Sequence, residues 1–385
     1  METDVLVVGL GPAGASLSCF LSEKGLDVIA VEIRPSNAEV ACGEIIPEKN
    51  SLAEAVSNEE LLSSVYRHID EETVRNRTNV LKFHLGDRVY ELNYPMLVLD
   101  RKKFINSYLD RAVDLGMKPP MFSSAFAGFI RSEDKLKSKV ITKEGTIYVR
   151  SKYQVGADGA FSKVAREAGL SFEMKPEDLA FGFRVLASGR YDTSSVVMRI
   201  SPDKAPGGYL WVIPFEGGIA NLGLGIRKSS PLWKGGREIL SSFIREVGAK
   251  PVSEVLGRHI PVGGFPPRVV NERVLLVGDA AGTCVPINGG GIFSAIMSSY
   301  IAAEHISAGN LNGYEERLRK NLSIVGLGLV YRRAADLVMY NEKLLKILAH
   351  LVPSQIMRDV LAMKKTLRTY PLMKLLSWIY LLKKT

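Results

Sequence analysis

Apolar residues follow two rhythms along this chain, and the rhythms divide it into parts. Val5 to Val8 is a short unbroken apolar run that ends in Gly9-Leu-Gly11-Pro-Ala13-Gly14, after which Ala15 to Lys24 reads as a helix stopped by Gly25. A second β-branched run, Val28 to Val31, ends at Glu32. Strand, glycine turn, helix and strand predict a parallel pair with a crossover helix, the opening of a doubly wound sheet. Two further strand-like stretches end in Gly/Asp turns: Tyr153 to Asp158-Gly159, followed by a helix over Ser162 to Ala168, and Val274 to Gly278-Asp279. Val98-Leu-Asp100 leads into a helix from Arg101 towards Gly116, and a helix follows Ile292 as far as Tyr300. Elsewhere the period falls to two. Val80 to Asn93, Phe181 to Ala187, Ser195 to Ile200 and Tyr209 to Arg227 alternate and predict strands of a separate sheet that interrupts the first in sequence. Near the C-terminus, Leu344, Ile347, Leu348 and Leu351, then Ile356, Val360, Met363 and Leu367, form helical stripes.

The chain is therefore expected to be mixed α/β. A Rossmann-like nucleotide-binding domain is drawn from 1–75, 96–170 and 268–308, an inserted mixed β-sheet substrate domain from 76–95 and 171–267, and a basic, amphipathic helical lobe from 309–385. A composition of 46% apolar and 24% charged residues excludes disorder, collagen and coiled coil. Three cysteines and five histidines, all scattered, supply neither a disulfide framework nor zinc-ligand spacing, so no metal is expected. Net charge is +9, yet Tyr331 to Thr385 alone holds eleven Lys/Arg against three acids. The body is nearly neutral, which argues against a nucleic-acid groove. Glu2 and Asp4 stand where a signal peptide would be basic, so the expected location is the cytoplasm, with the tail as a contact for the inner membrane face.

The glycine spacing meets the demands of a dinucleotide turn, with Gly9 for the tight bend, Gly11 for approach to a pyrophosphate, Gly14 for helix packing and Ala13 beside them. Glu32 is placed to accept from an adenosine ribose, and an acid there disfavours NADP at this site. The fingerprint alone fits FAD and NAD equally. Asp158 and Asp279 stand at strand ends, where a carboxylate can accept from a ribityl chain or cap the next helix. In this order the three segments resemble the FAD motifs of the p-hydroxybenzoate-hydroxylase-like flavoproteins. That resemblance implies bound FAD, with Gly289-Gly290-Gly291-Ile292 at the flavin pyrimidine edge. It makes Arg101 a cofactor contact, where the residues alone would also allow a surface charge beside an Asp100 cap.

Gly208-Tyr209-Leu-Trp211-Val-Ile213-Pro214, followed by Gly223-Leu-Gly225, resembles the Tyr-x-Trp-x-Phe-Pro and Gly-x-Gly signature of geranylgeranyl reductases, with Ile213 in place of Phe. Ala41-Cys42-Gly43-Glu44 resembles that family's Cys-Gly-acid element, and the matches span about residues 1 to 300. By themselves Tyr209 and Trp211 read as core aromatics and Cys42 as a small buried residue. The resemblance instead implies an FAD-dependent reductase of isolated prenyl double bonds in archaeal-type lipids. It places Cys42 and Gly43 at the cofactor, Tyr209, Trp211 and Cys42 in catalysis, and Tyr209, Trp211 and Ile213 at the substrate.

An unconjugated alkene does not accept hydride unless protonation leads or accompanies it, and an aromatic wall stabilises the resulting cation by ~0.5–2 kcal/mol. Cys42, Glu44, reduced flavin and water are all candidate proton sources. No second nucleotide motif is visible, which leaves NAD(P)H, ferredoxin or another donor open. A monooxygenase of a hydrophobic substrate, a reductase of a prenyl-quinone side chain and a lipid-binding flavoprotein are the alternatives. The tail helices either close a hydrophobic substrate tunnel or lie on an anionic bilayer.

Overall fold

The strand Glu2–Val8 lies inside a seven-stranded sheet, parallel to Val28–Val31 on one side and to Gly145–Gly156 on the other. The structure, a computed structural model, describes residues 1–36, 39–131, 135–171 and 173–383. Beyond Gly145–Gly156 the sheet continues to Val274–Leu276 and Val270–Asn271, and the hairpin of Ala125–Arg131 and Leu136–Thr142 joins it at Gly145–Gly156. A strand covered on both faces must be apolar throughout, and Val5, Leu6 and Val7 are completely buried. Helix Pro12–Glu23 packs against both Arg101–Asp114 and Ile292–Ser307, where Phe20 meets Tyr108 and Tyr300 edge to face at 6.0 and 5.4 Å.

The second sheet has nine strands. Its order is Lys250–Pro251, Leu179–Ser188, Ile219–Arg227, Tyr209–Pro214, Ser195–Ile200, Val74–Leu85, Arg88–Leu99 and Ile45–Pro47, with Leu256–Pro261 also paired to Leu179–Ser188. Only Ser195–Ile200 beside Val74–Leu85 is parallel, so the sheet is mixed. The alternating stretch Val80 to Asn93 resolves into a hairpin that turns at Gly86, φ +62°, and Tyr209 to Arg227 turns at Gly217 and Gly218. Ile45–Pro47 falls within the segment read as nucleotide-binding, yet it pairs with Arg88–Leu99. Three residues after a turn carry no readable period, which is why the pattern missed this edge.

The two faces of this sheet feed different cores. Leu210, Leu222 and Leu224 pack with Leu240 and Phe243 of helix Gly236–Glu246, while Trp211 and Ile213 pack with Leu345, Ala349 and Met357 of the C-terminal lobe. The lobe comprises helices Tyr314–Asn321, Ser323–Asp336, Glu342–Leu351, Ser354–Leu361 and Tyr370–Leu382. It is pinned to the sheet by buried charge: Arg332 bonds Asp178 at 2.9 Å and Arg227 bonds Asp336 at 3.3 Å. Among the described residues no helix is long and apolar enough to cross a membrane.

Candidate active site

A cavity of ≈690 Å³ opens between the two sheets, walled by residues of both. At one end the glycine turn shows what each glycine is for. A Cβ on Gly9 would lie 2.6 Å from the Ala157 carbonyl oxygen and one on Gly14 would lie 1.8 Å from that of Gly9, whereas one on Gly11 would meet nothing within 4 Å. Gly9 and Gly14 are thus required by packing, and Gly11 keeps open a cradle in front of helix Pro12–Glu23. That helix starts at Gly11 without a side-chain cap and with Ala13 on the cavity wall, the arrangement an anion completes. Arg101, 5% exposed, also lines the cavity, and its Nε has no hydrogen-bond partner among the described residues. A buried guanidinium left in that condition calls for an anion. Asp100 caps the same helix through the Lys103 N–H, so the cap and the cofactor-facing arginine coexist.

Two of the cavity-lining carboxylates, Glu32 and Asp158, also bond within the protein. Glu32 lines the cavity, but its Oε1 accepts from the N–H and Nε of Arg34 and its Oε2 from Arg34 Nη2 and the Leu10 N–H. These four bonds make the carboxylate a clamp on the glycine turn. Burial opposes its charge, yet the Arg34 and Leu10 bonds hold its carboxyl below the usual glutamate range. Asp158 is drawn to the following helix, where its oxygens accept from Ser162 Oγ and from the N–H groups of Lys163 and Val164 at 2.7 and 3.1 Å. It caps that helix from a position on the cavity wall.

At the other end, Asp279 Oδ2 accepts from Arg258 Nη2 at 2.6 Å, and its Oδ1 would stand 3.3 Å from a Cβ on Gly291. Gly289, Gly290 and Gly291 edge the cavity and lead into helix Ile292–Ser307, which also starts without a side-chain cap. Tyr209 donates its hydroxyl hydrogen to the Asn288 carbonyl, and burial pushes its pKa far above the ordinary value, so it stays neutral. Trp211 lies with its ring centroid 6.0 Å from that of Tyr209 and donates its indole N–H to Asn221 Oδ1 at 2.9 Å. The cross-strand partner of Trp211 is Gly223, and the indole fills the space a side chain there would need. Ile213 stands against Gly43, and Cys42 Sγ accepts from the Glu44 N–H at 3.3 Å. Tyr209, Trp211 and Ile213 line the cavity together, as alternation on a single strand face requires, and Cys42 and Gly43 line it from the turn before Ile45–Pro47.

A family profile described as an FAD binding domain matches residues 2–217, and one described as a geranylgeranyl reductase catalytic domain matches residues 178–258. Digeranylgeranylglycerophospholipid reductase 1 of Methanopyrus kandleri is 31% identical over 310 residues, 79% of this chain and 80% of that protein. Digeranylgeranylglycerophospholipid reductase of Methanosarcina acetivorans is 32% identical over 336 residues, 82% and 80% of the two chains. The chain belongs to the geranylgeranyl reductase family. A geranylgeranyl bacteriochlorophyll reductase-like protein of Thermoplasma acidophilum has the same fold, with a TM-score of 0.82 at 22% identity over 97% of each chain.

For a geranylgeranyl reductase the far wall of the cavity is the telling part. Leu81, Tyr94, Met96 and Met198 of the second sheet line it, and Leu361 of helix Ser354–Leu361 joins them, so the tail does close part of an apolar chamber. The FAD of this family fits the stretch from the glycine turn to Gly291: an uncapped helix start stands at each end of it, with an open cradle and a buried arginine whose Nε has no partner among the described residues at the first. Asn221, Arg258 and Arg184 were missed by pattern reading, since each acts across the fold. A lone Asn within the apolar strand Ile219–Arg227 was the one available signal. Cys19, Glu23 and His68 lie close enough to share an ion, with Sγ 3.8 Å from Nε2, but none lines the cavity and Glu23 is paired with Arg67.

Proposed function

We propose that this geranylgeranyl reductase uses FAD to saturate isolated C=C bonds in the geranylgeranyl chains of archaeal-type membrane lipids. What supports this most directly is one continuous cavity that runs from the glycine cradle past Cys42, Tyr209 and Trp211 to an apolar end. Bound FAD, once reduced, supplies the hydride. Gly11, Ala13 and Arg101 hold its pyrophosphate on the turn that Gly9 and Gly14 allow to pack, Asp279 its ribityl chain, and Cys42, Gly43 and Gly289 to Ile292 its ring. Arg258 then shares Asp279 with the cofactor. Tyr209 and Trp211 are the wall against which positive charge develops on the protonated alkene. Their hydroxyl and indole hydrogens point into protein bonds, so the faces left for the substrate are carbon and dry. Ile213, smaller than the family's Phe, widens the chamber beside Gly43.

The lipid enters from an anionic bilayer surface. The last helix packs through Met373 and Ser377, while Leu372, Leu375, Trp378 and Leu382 are 44, 53, 58 and 53% exposed with Lys374 among them. An external low-potential donor of the nicotinamide or ferredoxin class reduces the flavin. The deciding experiment is anaerobic incubation of the dithionite-reduced holoprotein with geranylgeranyl phospholipid, followed by mass spectrometry. Addition of two hydrogens per double bond is expected; no mass gain without oxygen, and oxygen insertion with it, would replace the reductase reading by a monooxygenase.

A further inference from the structure

We propose that Asn221 is a positioning residue that sets the aromatic wall against the Cys42 turn across the chamber. Asn221 is fully buried in the middle of strand Ile219–Arg227, where an apolar residue would be the ordinary occupant. Its amide touches three parts of the chamber. Oδ1 accepts from the Trp211 indole N–H at 2.9 Å, and Nδ2 donates to the Cys42 carbonyl at 2.8 Å and to Glu44 Oε2 at 3.3 Å. An indole N–H only donates and a carbonyl only accepts, so these partners fix which end of the amide faces which. The turn it grips is strained: Glu44 holds φ +59°, and its carboxylate is also bonded by Arg184 at 3.0 Å, which in turn bonds Glu39 at 2.8 Å. Trp211 and Cys42 are therefore tied to one side chain and do not move independently.

The kinetic consequence rests on the reductase reading, and the test separates the two. Asn221→Asp keeps the shape. When protonated it accepts from Trp211 and donates to Cys42; when ionised it sets an acceptor against the Cys42 carbonyl and a charge against Glu44, behind which stand Arg184 and Glu39. In the holoprotein, reoxidation of reduced flavin by geranylgeranyl phospholipid without oxygen should be at least about tenfold slower than in the parent at neutral pH. It should recover as the pH falls, whereas Asn221→Leu stays slow throughout. A parent-like rate at neutral pH with FAD bound overturns the proposal.

A second measurement needs no lipid. Iodoacetamide alkylation of Cys42, followed by peptide mass spectrometry at fixed pH, should be several-fold faster in Asn221→Leu than in the parent, and equal rates overturn the proposal. Because this readout holds even for a parent that is inactive on the lipid, failure of the reductase reading shows separately. If neither Asn221 variant keeps its FAD, Trp211→Phe, which removes the indole N–H together with the pyrrole part of the ring, tests the same bond. Reoxidation slower than the parent but faster than Trp211→Ala supports the proposal, and a parent rate overturns it.

Discussion

Gly11 and Gly14 sit three residues apart in one turn and answer to opposite demands. A side chain on Gly11 meets empty space, while one on Gly14 meets the Gly9 carbonyl. Gly11→Val should therefore fold like the parent and weaken FAD binding by about a hundredfold, ~3 kcal/mol. Gly14→Ala should lose roughly 1–3 kcal/mol of stability whether or not FAD is present. Flavin fluorescence titration beside denaturant unfolding separates them; an undisturbed FAD affinity in Gly11→Val would remove the pyrophosphate from that cradle. Glu32 makes a pH prediction. Its folded pKa is depressed, so its ionised bonds add stability in full above the ordinary glutamate range, and that stability is lost as the pH falls through the folded value. The stability gap between parent and Glu32→Gln, about 1–3 kcal/mol at neutral pH, should close on acidification; a gap constant with pH would refute this. The glycines were legible because spacing alone dictates their work. The Asp158 cap on the next helix was legible too, whereas the bonds of Glu32 were not, since Arg34 meets it only once the turn is folded.

The strand Tyr209–Pro214 was legible as an element, because alternation places Tyr209, Trp211 and Ile213 on one face whatever the fold. What joins that face to its surroundings came from elsewhere: that Asn221 of the neighbouring strand ties Trp211 to the Ala41 to Glu44 turn is a contact between distant segments that alternation does not reveal. The pairing of Trp211 with Gly223 gives a test at this scale. A Cβ on Gly223 would lie 2.2 Å from the indole, so Gly223→Ala should displace Trp211, cost about 1–3 kcal/mol of stability and slow lipid-driven reoxidation. Trp211→Ala should slow it further, with FAD retained in both. If either variant reoxidises at the parent rate, the indole is core packing and the chamber lies elsewhere.

Over the whole molecule the tail does two things: Leu361 lines the chamber, and the last helix turns an apolar face outward. Replacing Leu375 and Trp378 with Asp changes only that outer face. Co-sedimentation with anionic vesicles should fall by about tenfold or more while turnover of detergent-dispersed lipid persists; unchanged sedimentation would mean the bilayer meets another surface. The order of the first sheet also has a consequence in time. Glu2–Val8 leaves the ribosome ahead of both its neighbours, and one of them, Gly145–Gly156, is not synthesised until well over a hundred residues later. At ~5–20 residues per second that is a wait on the order of ten seconds with an apolar edge unpaired. Released fragments that end before Gly145 should precipitate where chains reaching past Leu276 remain in solution, and a soluble monomeric fragment would show that the early strands find shelter on their own. If the fragments do precipitate, the yield of this enzyme in a cell is governed less by its finished stability than by whatever shields those few valines while the rest of the chain is being made.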